Sequence, residues 1–152
     1  MPSFRTRRHV RHNPEEMFNL VADCEKYPLF LPLCQALKIR RRIPVGDGVE
    51  TIIADMTVGY KAIRETFASR VTVDRPRLTI LVEYVDGPFR HLENRWRFEP
   101  DPVHRGAQVD FFISYEFRSR TLGALMGSMF DSAFHKFAEA FEQRADEVYG
   151  RS

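Results

Sequence analysis

The hydrophobic positions of this chain change period along its length, and each change marks an element. Phe4 to Val10 reads as a short strand with basic residues interleaved. Asn13-Pro14-Glu15-Glu16 then predicts a helix start. Asparagine serves as N-cap, proline fits the first helical position, and two acids face the positive end of the dipole. The helix presents Met17, Leu20 and Val21 on one face and fades near Asp23 to Glu25. Tyr27-Pro28-Leu29-Phe30-Leu31-Pro32-Leu33-Cys34 follows. It is dense in large apolar groups, yet its two prolines forbid a long regular element.

From Ala36 the period becomes two. Leu37, Ile39 and Ile43 lie among basic residues, and Gly46-Asp47-Gly48 predicts a turn. Ile52, Ala54, Met56 and Val58 share one face of the next strand, and Ile63, Phe67, Val71 and Val73 share a face after the turn at Gly59-Tyr60. Arg75-Pro76 breaks the pattern, and Leu78, Ile80, Val82 and Tyr84 resume it. After Asp86-Gly87-Pro88, Leu92, Asn94, Trp96 and Phe98 alternate. A loop from Pro100 to Gly106 leads to Val109, Phe111, Ile113, Tyr115 and Phe117 on the last strand. From about Ser119 to Val148 the period is helical, with Leu122, Met126, Met129, Phe130, Ala133, Phe134, Phe137 and Phe141 in one stripe.

These elements predict an α+β chain that forms a single domain over residues 1–152. Short turns between consecutive strands imply antiparallel hairpins. About seven strands make a sheet roughly 34 Å wide, whereas one helix covers only about 10–12 Å. The sheet must curl around the helix, and space is expected to remain between them.

Composition narrows the chemistry. Apolar residues are 43% of the chain and the formal charge is +2, near balance. That balance argues against general nucleic-acid binding, and DNA is not expected as a partner. The local exceptions are Arg5, Arg7, Arg8 and Arg11, and the run Lys38, Arg40, Arg41, Arg42. The run reads either as a solvated strand face or as a contact for lipid headgroup or ribosomal RNA phosphates. Cys24 and Cys34 have no metal-ligand spacing and do not suggest a disulfide framework, so a reducing cytoplasm is expected. No apolar run approaches the roughly 18 residues that span a bilayer, and the opening residues do not read as a signal peptide. Any membrane contact is then peripheral, at the inner face of the cytoplasmic membrane. The five histidines are scattered, no nucleophile or phosphate-binding motif is present, and neither a metal site nor a catalytic residue is expected.

The order of elements resembles the helix-grip fold of the START and birch-pollen-allergen-like superfamily. Three stretches are similar to its coenzyme Q-binding, polyketide cyclase/dehydrase-like family: Tyr27 to Cys34; Ile63-Arg64-Glu65-Thr66-Phe67 with Ser69-Arg70; and Gly87-Pro88-Phe89-Arg90-His91-Leu92 leading into Trp96-Arg97-Phe98. The resemblance implies a curved antiparallel sheet around a long C-terminal helix, a hydrophobic cavity, a bound ubiquinone-type lipid and support of respiratory electron transfer. The same family includes a bacterial ribosome-association toxin, so the large ribosomal subunit is an alternative partner. Related helix-grip proteins act as polyketide cyclases or aromatases; here that would need an acid–base pair in the cavity, for which Glu65 with Tyr84 is the only suggestive combination.

The candidate ligand-binding residues are Tyr27, Phe30, Leu31, Met56, Phe67, Ser69, Tyr84, Asn94, Trp96, Phe111, Tyr115, Leu122, Met126, Met129 and Phe130. Asn94, Ser69, Tyr84 and the Trp96 indole offer donors to quinone carbonyls, and the isoprenoid tail needs only apolar volume, at about 0.8 kcal/mol per buried methylene. The proline-rich segment reads either as a buried crossover or as the lip of the cavity, with Leu29 or Leu31 partly exposed. Gly123 and Gly127 read either as sites of close packing against the sheet or of neutral drift, or as a weak stretch of helix that acts as a gate.

Overall fold

Every predicted strand but the first pairs with its neighbour in sequence, and the first closes the far edge. The computed structural model describes residues 3–60 and 62–150. Its strands are β1 (Ser3–Val10), β2 (Cys34–Gly46), β3 (Val49–Tyr60), β4 (Ile63–Asp74), β5 (Thr79–Asp86), β6 (Phe89–Pro100) and β7 (Ala107–Phe117), in the spatial order β1-β7-β6-β5-β4-β3-β2. All pairs are antiparallel. Helix α1 (Pro14–Ala22) and a 3₁₀ segment (Cys24–Leu29) connect β1 to β2, and α2 (Arg120–Tyr149) ends the described chain.

The two arginine clusters that stand out in the sequence occupy the two edges of this sheet. Arg5, Arg7 and Arg8 lie on β1; Lys38, Arg40, Arg41 and Arg42 lie on β2. Edge strands expose unpaired backbone groups, and charged side chains with bulges discourage pairing with another chain. β2 carries three register shifts, at Cys34/Ala36, Ile39/Arg41 and Pro44/Gly46. Its alternation ends at the second of these, after which Arg40 to Gly46 are all exposed. The turn that follows uses positive φ at Gly46, Asp47 and Gly48, which glycine adopts freely.

Helix α1 begins as its sequence predicts. Asn13 Oδ1 accepts from the Glu16 backbone N–H at 2.8 Å, and Glu16 Oε1 accepts from the Asn13 N–H at 3.1 Å, a complete capping box. Its buried face includes Phe18 besides Met17, Leu20 and Val21. The residue missing from the sequence reading is thus a full aromatic ring, which meets Phe98 edge-on at 6.0 Å.

Helix α2 spans 30 residues, or about 45 Å. Its C-terminal half is clamped: His12 Nε2 lies 2.7 Å from Asp146 Oδ1, Arg8 reaches Glu142 at 2.7 Å, and the Tyr149 hydroxyl donates to the Glu16 carbonyl at 3.1 Å. Phe141 packs edge-on against Trp96 at 5.0 Å. The first turns are held more lightly, by the Ser119 cap, whose hydroxyl accepts from Leu122 N–H at 3.1 Å, and by the Tyr115 hydroxyl, 3.3 Å from the Gly127 carbonyl. A side chain at Gly127 would meet nothing within 4 Å, and one at Gly123 only Phe117 at 3.8 Å. Close packing therefore does not explain these glycines.

Candidate functional site

Residues from β3 (Ala54), β4 (Val71), β5 (Val82), β6 (Asn94) and β7 (Ile113) all face one helix across one cavity. Five adjacent strands can do so only because the sheet curls, as its width against the helix diameter requires. The middle of α2 forms the roof with Phe130, Ala133, Phe134, Phe137 and Phe141, and the side wall is Tyr27 with Leu31, Pro32 and Leu33. The cavity offers about 80 Å³ to the centre of a water-sized molecule, against the roughly 10–15 Å³ that admits one water. A ring or a short apolar chain fits such a space; a long prenyl chain requires the helix and sheet to part.

The 3₁₀ segment and the loop after it form the side wall because two prolines interrupt any longer helix. Leu33 sits at φ 66°, and its carbonyl accepts from the Gly59 N–H at 3.0 Å, which pins the loop to the end of β3. Tyr27 and Phe30 both pack edge-on against Phe141, at 5.3 and 5.1 Å. Leu31 is buried, 5% exposed, whereas Leu29 is 67% exposed. The expectation of an exposed leucine is met at Leu29 and corrected at Leu31, because the 3₁₀ turn directs the latter inward.

Of the candidate residues, Tyr27, Leu31, Met56, Phe67, Ser69, Asn94, Trp96 and Phe130 line the cavity. Phe30, Tyr84, Phe111, Tyr115, Leu122, Met126 and Met129 do not. Phe30 lies behind Tyr27 with the Arg144 guanidinium 5.5 Å from its ring. Phe111 is fully buried between Trp96 and Phe4. Leu122, Met126 and Met129 belong to the front of α2, where Phe89, Phe117 and Phe130 stack or tilt against one another at 4.8–5.9 Å and fill the space below the helix. The open volume thus lies under the middle of α2, from Phe130 to Phe141, not under its first turns. Sequence reasoning missed Val58, Val71 and Val82, although each shares strand phase with a residue it named. It also missed Phe89, which begins its strand behind the turn at Gly87 and so has no alternation before it.

Hydrogen bonding separates the polar candidates. The Trp96 indole donates to Asn94 Oδ1 at 2.9 Å, and Asn94 Nδ2 donates to the Phe112 carbonyl at 2.9 Å. The Tyr84 hydroxyl accepts from the Phe89 N–H at 3.1 Å. The Trp96 indole N–H and one Asn94 N–H are thereby engaged within the sheet, while Tyr84, which accepts, does not line the cavity. Ser69 differs. It is 5% exposed and lines the cavity, a hydroxyl among largely apolar neighbours.

The remaining reactive groups are quiet. Burial pushes the Cys24 and Cys34 thiols up to about 11 each, so both stay protonated at neutral pH. Burial also raises Tyr27 well above the ordinary phenol range, and its hydroxyl donates to the Val21 carbonyl. Glu65 shares the inner phase of β4 with Phe67 and Ser69 and is half-buried, but it does not line the cavity. Among the described residues no three His, Cys, Asp or Glu side chains gather as metal ligands, and no helix is long and apolar enough to cross a membrane.

A curled antiparallel sheet gripping one long helix over an apolar cavity defines a helix-grip protein. A solved START superfamily protein from Mycobacterium smegmatis has the same fold, with TM-score 0.76 and 18% identity over 96% of this chain and 98% of that one. The family model described as polyketide cyclase / dehydrase and lipid transport matches residues 10–142, and the chain belongs to that family. Its relatives carry two kinds of name. The ribosome association toxin RatA of Rickettsia prowazekii is 33% identical over 97% of this chain and 99% of its own. The mitochondrial coenzyme Q-binding protein coq10 of Schizosaccharomyces pombe is 32% identical over 93% and 85%. The 18 kDa protein CC1736 of Caulobacter crescentus, solved in solution, is 32% identical over 99% of this chain and all of that one, with TM-score 0.79.

Proposed function

We propose that this protein binds a ubiquinone-type lipid, with the quinone ring in the cavity and one ring carbonyl accepting a hydrogen bond from Ser69, and that it supports delivery of the lipid to respiratory electron transfer. The observation that carries this reading is the Ser69 hydroxyl on the wall of a largely apolar cavity. An acceptor-bearing flat ring satisfies that donor, while Phe67, Trp96 and Phe134 supply apolar walls. The coenzyme Q-binding name of a relative aligned over most of both chains supports the same ligand class. No residue is assigned a catalytic role: Glu65 and Tyr84 both stand outside the lining.

The chain has one tryptophan, and it lines the cavity. Titration with a short-chain ubiquinone in mild detergent should quench Trp96 fluorescence saturably, and lipid extracted from protein purified out of a quinone-producing host should contain ubiquinone. Absence of both overturns the reading.

A second reading is a ribosome-directed role, favoured by the full-length similarity to RatA. On β2, Arg40 pairs with Asp55, and Arg42 with Glu25 and Glu50, while Arg41 and Lys38 are exposed. Co-sedimentation with the large ribosomal subunit, lost when Arg40, Arg41 and Arg42 become glutamate, would support that role.

A further inference from the structure

The two ends of the sheet differ in character. Because neighbouring strands run in opposite directions, one end gathers the β3–β4 and β5–β6 turns, the end of β7 and the start of α2. The other end gathers the remaining turns with α1 and the C-terminus of α2. Acids outnumber arginines at this second end: Asp47, Asp74 and Asp101 at its turns, Glu15 and Glu16 on α1, Asp146 and Glu147 near the end of α2, against Arg11, Arg75, Arg77, Arg105 and Arg144. At the first end four exposed arginines, Arg64, Arg90, Arg118 and Arg120, stand against Asp86, Glu116 and the half-buried Glu65. Glu116 lies 3.9 Å from Arg90, and Arg118 Nε donates to the Phe89 carbonyl. Arg64 and Arg120 make no ion pair among the described residues. Acids therefore exceed arginines at the second end, whereas at the first the arginines exceed the acids, four to three.

Exposed apolar groups stand at both ends, Val45 and Val103 at the second and two more at the first. Val85 is 54% exposed beside the β5–β6 turn, and Leu125 is 55% exposed on the second turn of α2. The cavity lies just behind: Phe89 opens β6 at this end, and Val58 stands two residues from the end of β3.

We propose that this end is a docking surface for an anionic phospholipid bilayer. The arginines meet headgroup phosphates, and Leu125 and Val85 enter the interface between headgroups and acyl chains. Arginine beside apolar side chains is the chemistry of a bilayer surface, and this rim has it without the surplus of acids that the other rim carries. A phosphate backbone would use the arginines alone and leave both apolar groups in water. The proposal deepens the quinone reading, since a prenylated ligand resides among acyl chains, and it rests on that reading for its purpose.

The test is flotation of the purified full chain with vesicles of phosphatidylcholine alone and of phosphatidylcholine with phosphatidylglycerol, neither containing quinone. Binding is expected with the anionic vesicles only and should weaken with salt. Arg64→Gln and Arg120→Gln should each lower partitioning roughly fivefold, the equivalent of about 1 kcal/mol per charge at an anionic surface. Leu125→Gln should lower it severalfold, with Leu125→Ala as a milder second variant. Arg77→Gln and Val103→Gln, both at the opposite end, should leave it unchanged. Equal binding by variants and wild type, equal loss in the controls, or no binding to anionic vesicles overturns the proposal. So does retention on ribosomal subunits that depends on Arg64 and Arg120 without vesicle binding. Quinone quenching of Trp96 in detergent is measured on the same variants. Vesicle binding without quenching removes the quinone reading and leaves the docking surface; quenching without vesicle binding does the reverse.

Discussion

The Trp96 indole N–H points at Asn94 Oδ1, 2.9 Å away, while the amide nitrogen of the same Asn94 donates to the Phe112 carbonyl on the neighbouring strand. One side chain thereby satisfies a buried donor and a backbone acceptor and ties β6 to β7 on the cavity wall. Asn94→Ala strips a partner from both groups at once. Leaving a buried polar group unsatisfied costs about 1–3 kcal/mol. Urea unfolding followed by Trp96 fluorescence should show a loss of that size with an unchanged dependence on urea. Quinone quenching should survive in the folded variant. A silent substitution would mean that water replaces the amide at no cost.

Ser69 behaves in the opposite way. Its hydroxyl lines the cavity, so Ser69→Ala exchanges a polar for an apolar group on a largely apolar wall and should leave the fold about as stable as before. The same change removes the donor proposed for the ligand carbonyl. A neutral hydrogen bond contributes about 0.5–1.5 kcal/mol net, so quinone affinity should fall roughly two- to tenfold. Thermal melting and the fluorescence titration, run on one preparation, check the two signs together. Loss of stability with unchanged affinity would assign Ser69 a purely structural role.

Much of this architecture can be read from period and punctuation. Strand phase places Met56, Phe67, Ser69 and Trp96 on the inner face, and Asn13-Pro14-Glu15-Glu16 places the start of α1 to the residue. Phase does not say how far along the barrel the open volume extends. Leu122 and Phe134 belong to one helical stripe, yet Phe117 and Phe89 fill the space near the first, and the cavity remains only near the second. That difference depends on which rings meet across the sheet, a property of curvature that no local pattern carries. Hydrogen-bond engagement was equally hidden. Asn94 and Ser69 look alike as in-phase polar residues, and only the reach of Trp96 to Asn94 distinguishes them.

The glycines of α2 make a third case. Neither needs to be glycine for space, since a Cβ meets nothing near Gly127 and only ordinary contact near Gly123. Each lowers helix stability by up to about 1 kcal/mol relative to alanine. Gly123→Ala and Gly127→Ala should therefore raise the melting temperature, nearly additively. If the front of α2 moves when ligand passes, the double variant should also exchange quinone more slowly at similar affinity, which stopped-flow quenching would read. Destabilisation by either alanine would show that the helix leaves regular geometry there.

Burial of both thiols ties stability to alkaline pH. Cys24 and Cys34 titrate near 11 in the folded chain, against 9.0 for an unperturbed thiol. Their folded values are raised, so the protonated form is favoured by folding. The contribution is fully present below pH 9 and is lost as pH rises from there through 11, because the unfolded chain ionises first. Within that window each thiol should steepen the loss by on the order of 1.4 kcal/mol per pH unit. Tyr27, raised by burial in the same way, adds to the slope above pH 10. Urea midpoints measured from pH 8 upward should fall for the wild type and fall less steeply for Cys24→Ala with Cys34→Ala. The same thiols should resist a disulfide reagent at pH 8 until the chain is unfolded. Rapid labelling of the folded protein, or identical slopes in both chains, would show that solvent reaches the sulfur atoms beside Tyr27.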